Sequence, residues 1–184
     1  MKLIKNHYKN RFIKKATSSA LVPFLVIGAG TVIAADQVNQ NYIIENAKTG
    51  KDWPTHGFDY AETRFSPLSQ ISADNVEKLG LAWSYNLGSE RGVEATPLVV
   101  DGVMYVTASW SIVHALDAKT GKKLWTYDPE VPGEAGSRGC CDVVNRGVAV
   151  HFGNVYVASY DGRLIALDAK TGEKVWETNT LPDN

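Results

Sequence analysis

Cysteine is nearly missing from this chain. Among 184 residues there are two, and they are neighbours, Cys140 and Cys141. A framework of several disulfides is therefore excluded. Cys-x-x-Cys-His does not occur, so the sequence offers no c-type haem attachment point. Histidine is sparse and scattered: His7, His56, His114 and His151 stand far apart, and none reads as a metal ligand. No apolar run reaches the ~20 residues a membrane-spanning helix needs. The longest, Ala20 to Ala35, is interrupted by Pro23, Gly28, Gly30 and Thr31. An excess of basic charge is also lacking, with 19 basic against 20 acidic residues and a formal charge of −1.

The start of the chain has no acid at all. Lys2, Lys5, Lys9, Arg11, Lys14 and Lys15 precede the apolar run, which closes on Val32-Ile33-Ala34. This is the pattern of a signal peptide (1–35) cleaved after Ala34 or Ala35. The run is short for an uncleaved anchor, and no cysteine follows it to take a lipid. Cleavage would leave 13 basic against 20 acidic residues, a charge of −7. That argues against nucleic acid as a partner. Export implies the periplasm, an oxidising compartment.

What is present in abundance is repetition. Shifted by 51 residues the chain matches itself without a gap: Ala115-Leu116-Asp117-Ala118-Lys119-Thr120-Gly121 falls on Ala166-Leu167-Asp168-Ala169-Lys170-Thr171-Gly172, Trp125 on Trp176, and Tyr105 on Tyr156. A repeat near this period points to propellers or solenoids. Each repeat reads as four short strands. The first gives 96–100 and 103–107 about an Asp101-Gly102 turn, then 112–117 and 122–127; the second gives 147–151, 155–159, 163–168 and 173–178. Four antiparallel strands make a propeller blade. Residues 81–85, with Trp83, read as one outer strand whose companions lie elsewhere. Residues 36–80 are polar and irregular, an N-terminal arm packed on the blades. The expected organisation is all-β: signal peptide 1–35, arm 36–80, and an incomplete propeller over 81–184 with about two blades and an outer strand. Two blades cannot bury both their faces, so the chain is expected to be an N-terminal fragment, neither stable nor active alone.

Blade topology separates the unusual residues. The loop before a blade's first strand shares a face with the loop between its second and third. The Asp-Ala-Lys-Thr-Gly turns lie on the opposite face. Asp117 and Asp168 recur there in identical turns, which suits backbone bonding. Trp125 and Trp176 suit packing between blades. On the other face Glu94 matches Asn145 and Ala95 matches Arg146. The insertion 129–145, carrying Cys140-Cys141, opens on that face too. An acid, a base and the cysteine pair thus converge. The bland reading is a surface glutamate and a structural arginine.

The cysteine pair itself has two readings. Adjacent Cα atoms lie ~3.8 Å apart, whereas a disulfide usually spans roughly 4.4–6.8 Å. A bond between them would close a small rigid ring, a hard plate fit to lie beside a flat ligand. The alternative is free thiols, or thiols pairing with partners elsewhere.

Cys140-Cys141-Asp142-Val143-Val144-Asn145-Arg146-Gly147, following Gly92-Val93-Glu94-Ala95-Thr96-Pro97, resembles the pyrroloquinoline quinone (PQQ)-dependent alcohol dehydrogenases. Trp53-Pro54-Thr55-His56-Gly57, Arg64-Phe65-Ser66-Pro67-Leu68, Asn75-Val76 and Leu79 agree with it; Phe58 and Ser72 depart, as surface-type changes. The likeness runs from Asp52 to Thr178. Ser109-Trp110-Ser111 and the stretch from Val131 to Gly136 look closest to the quinohaemoprotein branch. The resemblance implies an eight-bladed β-propeller. It implies that Cys140 and Cys141 form a vicinal disulfide packed on one face of the quinone, that Arg146 bonds a cofactor oxygen or carboxylate, and that Glu94 orients the cofactor rim. It also implies oxidation of primary alcohols to aldehydes. Calcium acts as Lewis acid, an aspartate takes the hydroxyl proton and hydride moves to the quinone; electrons then pass to a cytochrome c or a quinone acceptor. No catalytic residue, calcium ligand or haem c attachment is expected within these 184 residues. Two other readings share the repeats: a non-enzymatic propeller scaffold of the outer-membrane assembly type, typically a lipoprotein, and a quinoprotein acting on sugars or polyols, usually anchored by several helices.

Overall fold

The computed structural model describes residues 35–182. The signal peptide and its cleavage point fall outside them. Each repeat folds into one four-stranded antiparallel meander. The first contains β1 (Leu98–Val100), β2 (Val103–Thr107), β3 (Val113–Asp117) and β4 (Lys123–Tyr127); the second contains β5 (Ala149–His151), β6 (Asn154–Ala158), β7 (Arg163–Asp168) and β8 (Lys174–Asn179). Registers repeat with the sequence. Tyr105 faces Ala115 and Ala115 faces Trp125; Tyr156 faces Ala166 and Ala166 faces Trp176. A bulge recurs at Ala115/Leu116 and at Ala166/Leu167. A bulge bends the strand and raises its twist, so both sheets turn at the same place.

One core joins the sheets. Leu98, Val100, Tyr105, Val113, Ala115 and Trp125 meet Val150, Val155, Val157, Ile165, Leu167 and Ala169. The tryptophans make the join specific. Trp125 donates Nε1–H to the Ala169 carbonyl at 3.1 Å and covers Gly172, where a Cβ would lie 2.6 Å from its ring. Gly172 also has φ +75°, so glycine is required there twice over. Trp83 does the same one blade earlier, donating to the Ala118 carbonyl at 3.2 Å over Gly121.

Three expectations need correction. Residues 81–85 form no strand; Trp83 docks through its side chain while the backbone pairs with no sheet among the described residues. The N-terminal segment is not wholly irregular. It contains α1 (Gln40–Thr49), started by Asn39, whose side chain accepts from Tyr42 N–H at 3.0 Å, and ended by Gly50 at φ 66°. Phe58 is not a surface residue. It is 2 % exposed and packs its ring 5.0 Å from that of Trp53. Its φ of 78° turns the side chain inward.

The segment before the blades touches both. Trp53 exchanges backbone hydrogen bonds with Val99 at 2.8 and 2.9 Å, adding a bridge to the edge of β1. Asp52 ties α1 to that edge: its carboxylate accepts from Asp101 N–H at 2.9 Å and from the Tyr42 hydroxyl. Burial, with the Asp52 carboxylate, pushes the Tyr42 phenol well up. On the second blade, Gly153 N–H donates to the Ala35 carbonyl at 2.7 Å and Lys170 pairs with Asp36 at 2.9 Å. No helix among the described residues is long and apolar enough to cross a membrane.

Candidate cofactor site

Four loops gather on one face. Two precede the first strands of the blades (88–97 and 138–148), and two are the turns β2–β3 and β6–β7. Backbone bonds lace them together: Thr96 N–H to the Arg146 carbonyl at 3.3 Å, and Trp110 N–H to the Val143 carbonyl at 2.9 Å. Ser109 adds a hydroxyl bond to the Gly92 carbonyl at 3.1 Å. Gly147 is required at this junction. Its φ is +119°, and a Cβ would stand 3.0 Å from the Thr96 carbonyl oxygen.

All four residues singled out in the sequence lie on this face. Cys140 and Cys141 are bonded to each other, with Cα atoms 3.8 Å apart. Both are exposed. Glu94 and Arg146, 52 positions apart, form an ion pair at 3.0 Å. Arg146 is 78 % and Glu94 45 % exposed along the side chain, so the pair contributes only about 0–1 kcal/mol to stability. What it does is hold a guanidinium in place with most of its N–H fork unused. Such a fork suits a planar polyacid, and the exposed disulfide on the same face supplies an apolar plate. The residues present therefore fit one face of a flat, carboxylate-rich cofactor. A cavity of about 370 Å³ opens next to Cys140 between the 135–140 segment and the β6–β7 turn, reaching Tyr160 and Asp161.

Asn145, expected to share the site with Glu94 by its place in the repeat, turns away. Its amide donates to Ser111 Oγ at 3.1 Å and to the Ala158 carbonyl at 2.9 Å, and its oxygen accepts from Gly147 N–H at 2.9 Å. It fixes the loop from which Arg146 projects. Asp142 also has a role that sequence reasoning passed over. It pairs with Arg91, which lies 5.5 Å above the Trp110 ring. The Val143 amide, then Arg91, hold the Asp142 carboxyl below the usual carboxylate range. Cys141 and Asp142 have φ of 71° and 70°, two successive left-handed residues that nothing in their types signals. Arg163 anchors the far end of the insertion by donating to the Pro129 carbonyl at 2.7 Å.

On the opposite face the aspartate turns are built alike. Asp117 Oδ1 accepts from Lys119 N–H, Thr120 N–H and the Thr120 hydroxyl at 3.1, 2.7 and 2.7 Å. Asp168 Oδ1 accepts from Lys170 and Thr171 at 2.9, 2.8 and 3.1 Å. These are structural contacts, as expected. His114 is buried against Tyr85 and Thr126, and burial, with Lys123 nearby, lowers its pKa. Among the described residues no group of His, Cys, Asp or Glu could hold a metal ion.

Two meandering four-stranded sheets, joined by a tryptophan covering a glycine, define blades of a β-propeller. Residues 53–178 match the family described as PQQ, glucose/ethanol/alcohol dehydrogenase, beta-propeller domain. The chain belongs to that family. It is 69 % identical over 135 residues to a 1-butanol dehydrogenase (cytochrome c) of Thauera butanivorans, covering 73 % of this chain and 20 % of that one. It is 62 % identical over 153 residues to a quinohemoprotein alcohol dehydrogenase of Comamonas testosteroni, covering 83 % of this chain and 22 % of the relative. The crystal structure of the Comamonas testosteroni quinohemoprotein alcohol dehydrogenase superposes with a TM-score of 0.78 at 63 % identity, over 80 % of this chain and 22 % of that one. These place the chain with the quinohaemoprotein branch. The chain spans about a fifth of the length of these relatives.

Proposed function

We propose that these residues form the first two blades of a periplasmic PQQ-dependent dehydrogenase that oxidises primary alcohols to aldehydes. The observation that carries this reading is the Glu94–Arg146 pair held on one face with the exposed Cys140–Cys141 ring. Arg146 would bond the cofactor's carboxylates or ring oxygens, Glu94 would fix the guanidinium and the cofactor rim, and the disulfide would form the floor. The quinone, when bound, accepts the two electrons and two protons that leave a primary alcohol as it becomes an aldehyde. The part these residues play is to bind, to orient and to exclude water from one face. A calcium ion acting as Lewis acid, and the base that takes the alcohol proton, belong on this reading to residues outside those described. Electrons then pass to a cytochrome c, as the name of the Thauera butanivorans relative suggests, with haem c carried elsewhere in the protein.

The test is reconstitution of the full-length protein made in a host lacking PQQ. Dye reduction with ethanol or 1-butanol should need added PQQ and calcium together. Activity without PQQ, or no quenching of protein fluorescence on PQQ addition, would remove this reading.

A further inference from the structure

We propose that the buried hydroxyl of Ser111 is a positioning residue that aligns the two halves of the quinone seat, the Arg146 donor and the cysteine ring. The inference rests on the quinone reading of the site. Ser111 is 0 % exposed and lies in the β2–β3 turn of the first blade. Its Oγ accepts from two places in the second blade: Asn145 Nδ2 at 3.1 Å and Tyr160 N–H at 3.0 Å. Asn145 precedes Arg146 and sets the loop that presents it. Tyr160 reaches the other half, its hydroxyl packed so closely on Gly139 that a Cβ there would overlap it. Cys140 follows Gly139, and Tyr160 and Cys140 line the same cavity.

The backbone supports the assignment. Trp110 and Ser111 have φ of 61° and 62°. Two consecutive left-handed residues, neither of them glycine, carry a conformational cost. The turn that bears it delivers the Trp110 amide to the Val143 carbonyl and the Ser111 hydroxyl to Asn145 and Tyr160. The matching position in the second blade is Gly162, with φ 90° and no hydroxyl. Only the left-handed angle at 111/162 recurs in the second blade, since Asp161, which matches Trp110, lacks a positive φ; the side chain of Ser111 is an addition made where the cysteine loop has to be placed.

Ser111→Gly separates the two. Glycine accepts the backbone angle freely and removes only the hydroxyl side chain. In full-length apo-protein, PQQ titration followed by tryptophan fluorescence should show affinity about tenfold weaker, with the melting temperature within a few degrees of wild type. Ser111→Ala, which keeps the Cβ, should show the same loss. Combining Ser111→Gly with Asn145→Ala should weaken binding by less than the sum of the two single losses, because both remove the Asn145–Ser111 contact while only Ser111→Gly also removes the one to Tyr160. Wild-type affinity in Ser111→Gly, additive losses in the double variant, or melting that collapses in both single variants would overturn the assignment while the quinone reading stands. Failure of the wild-type protein to bind PQQ would instead remove both.

Discussion

The two faces of the blade pair differ in how faithfully they repeat. On the turn face, Asp117 and Asp168 make the same three bonds, and Trp83 and Trp125 cover glycines 51 residues apart with the same carbonyl contact. On the loop face, positions matched by the same shift diverge. Glu94 corresponds to Asn145, and Ser109-Trp110-Ser111 to Tyr160-Asp161-Gly162. Contacts that must be made in every blade are copied, because each blade meets the same packing problem. A site is made once, so its residues are those that break the copy.

The comparison can be broken most forcefully at a tryptophan. Trp125→Ala should cost about 3–5 kcal/mol of stability, read by denaturant unfolding of the full-length protein, while PQQ affinity per folded molecule stays near wild type. A loss below ~1 kcal/mol would mean the tryptophan lock is incidental. Arg146→Ala should reverse the pattern. Quinone binding falls ten- to a hundredfold, about 1.5–3 kcal/mol, and the melting temperature barely moves because the ion pair is exposed. Gly172→Ala should destabilise by about 1–3 kcal/mol through overlap with the Trp125 ring; a neutral result would show that the ring can shift at no cost.

The smallest effects belong to the turn aspartates. Asp168→Ala should lower the melting temperature by a few degrees without changing quinone affinity. Against the opposing effect of burial, the Thr171 and Lys170 amides hold the Asp168 carboxyl below its ordinary value. Thr120 does the same for Asp117, through its hydroxyl and amide. A carboxyl depressed in the folded state stabilises it above the unfolded pKa of about 4 and loses that contribution as pH falls through the folded value. Melting temperatures measured downward from pH 6 should therefore drop below about pH 4 in wild type, and less steeply in Asp168→Asn. An unchanged acid limb would detach these turns from stability.

The legible parts of the molecule were those with a period. Strands, hairpin turns, aspartate turns and inter-blade tryptophans follow from a 51-residue self-match, and the same shift brought Glu94 and Arg146 to one place. Non-periodic features were harder to see. Helix α1 has only Ile43 and Asn46 buried, and its mean composition is polar, so amphipathicity gave little signal; the Asn39 cap and the Gly50 stop were there to find. The outer strand expected at 81–85 has no companions among the described residues, and without them Trp83 docks by its side chain alone. Phe58 is buried because a positive φ points it at Trp53, and Ser111 matters because of a left-handed turn. Neither backbone angle is written in residue type.

Both tryptophan locks among the described residues point forward along the chain. Trp83 waits for Gly121, and Trp125 for Gly172. A ribosome adding about 5–20 residues per second takes roughly 2–10 s to make the stretch between a tryptophan and its glycine. Trp125, seated over Gly172, is only 8 % exposed. A chain built this way always carries one unsatisfied aromatic at its growing end, so each newborn blade is a sticky surface until its successor arrives. The period of the repeat then acts as a clock, setting how long a holdase would have to stay bound.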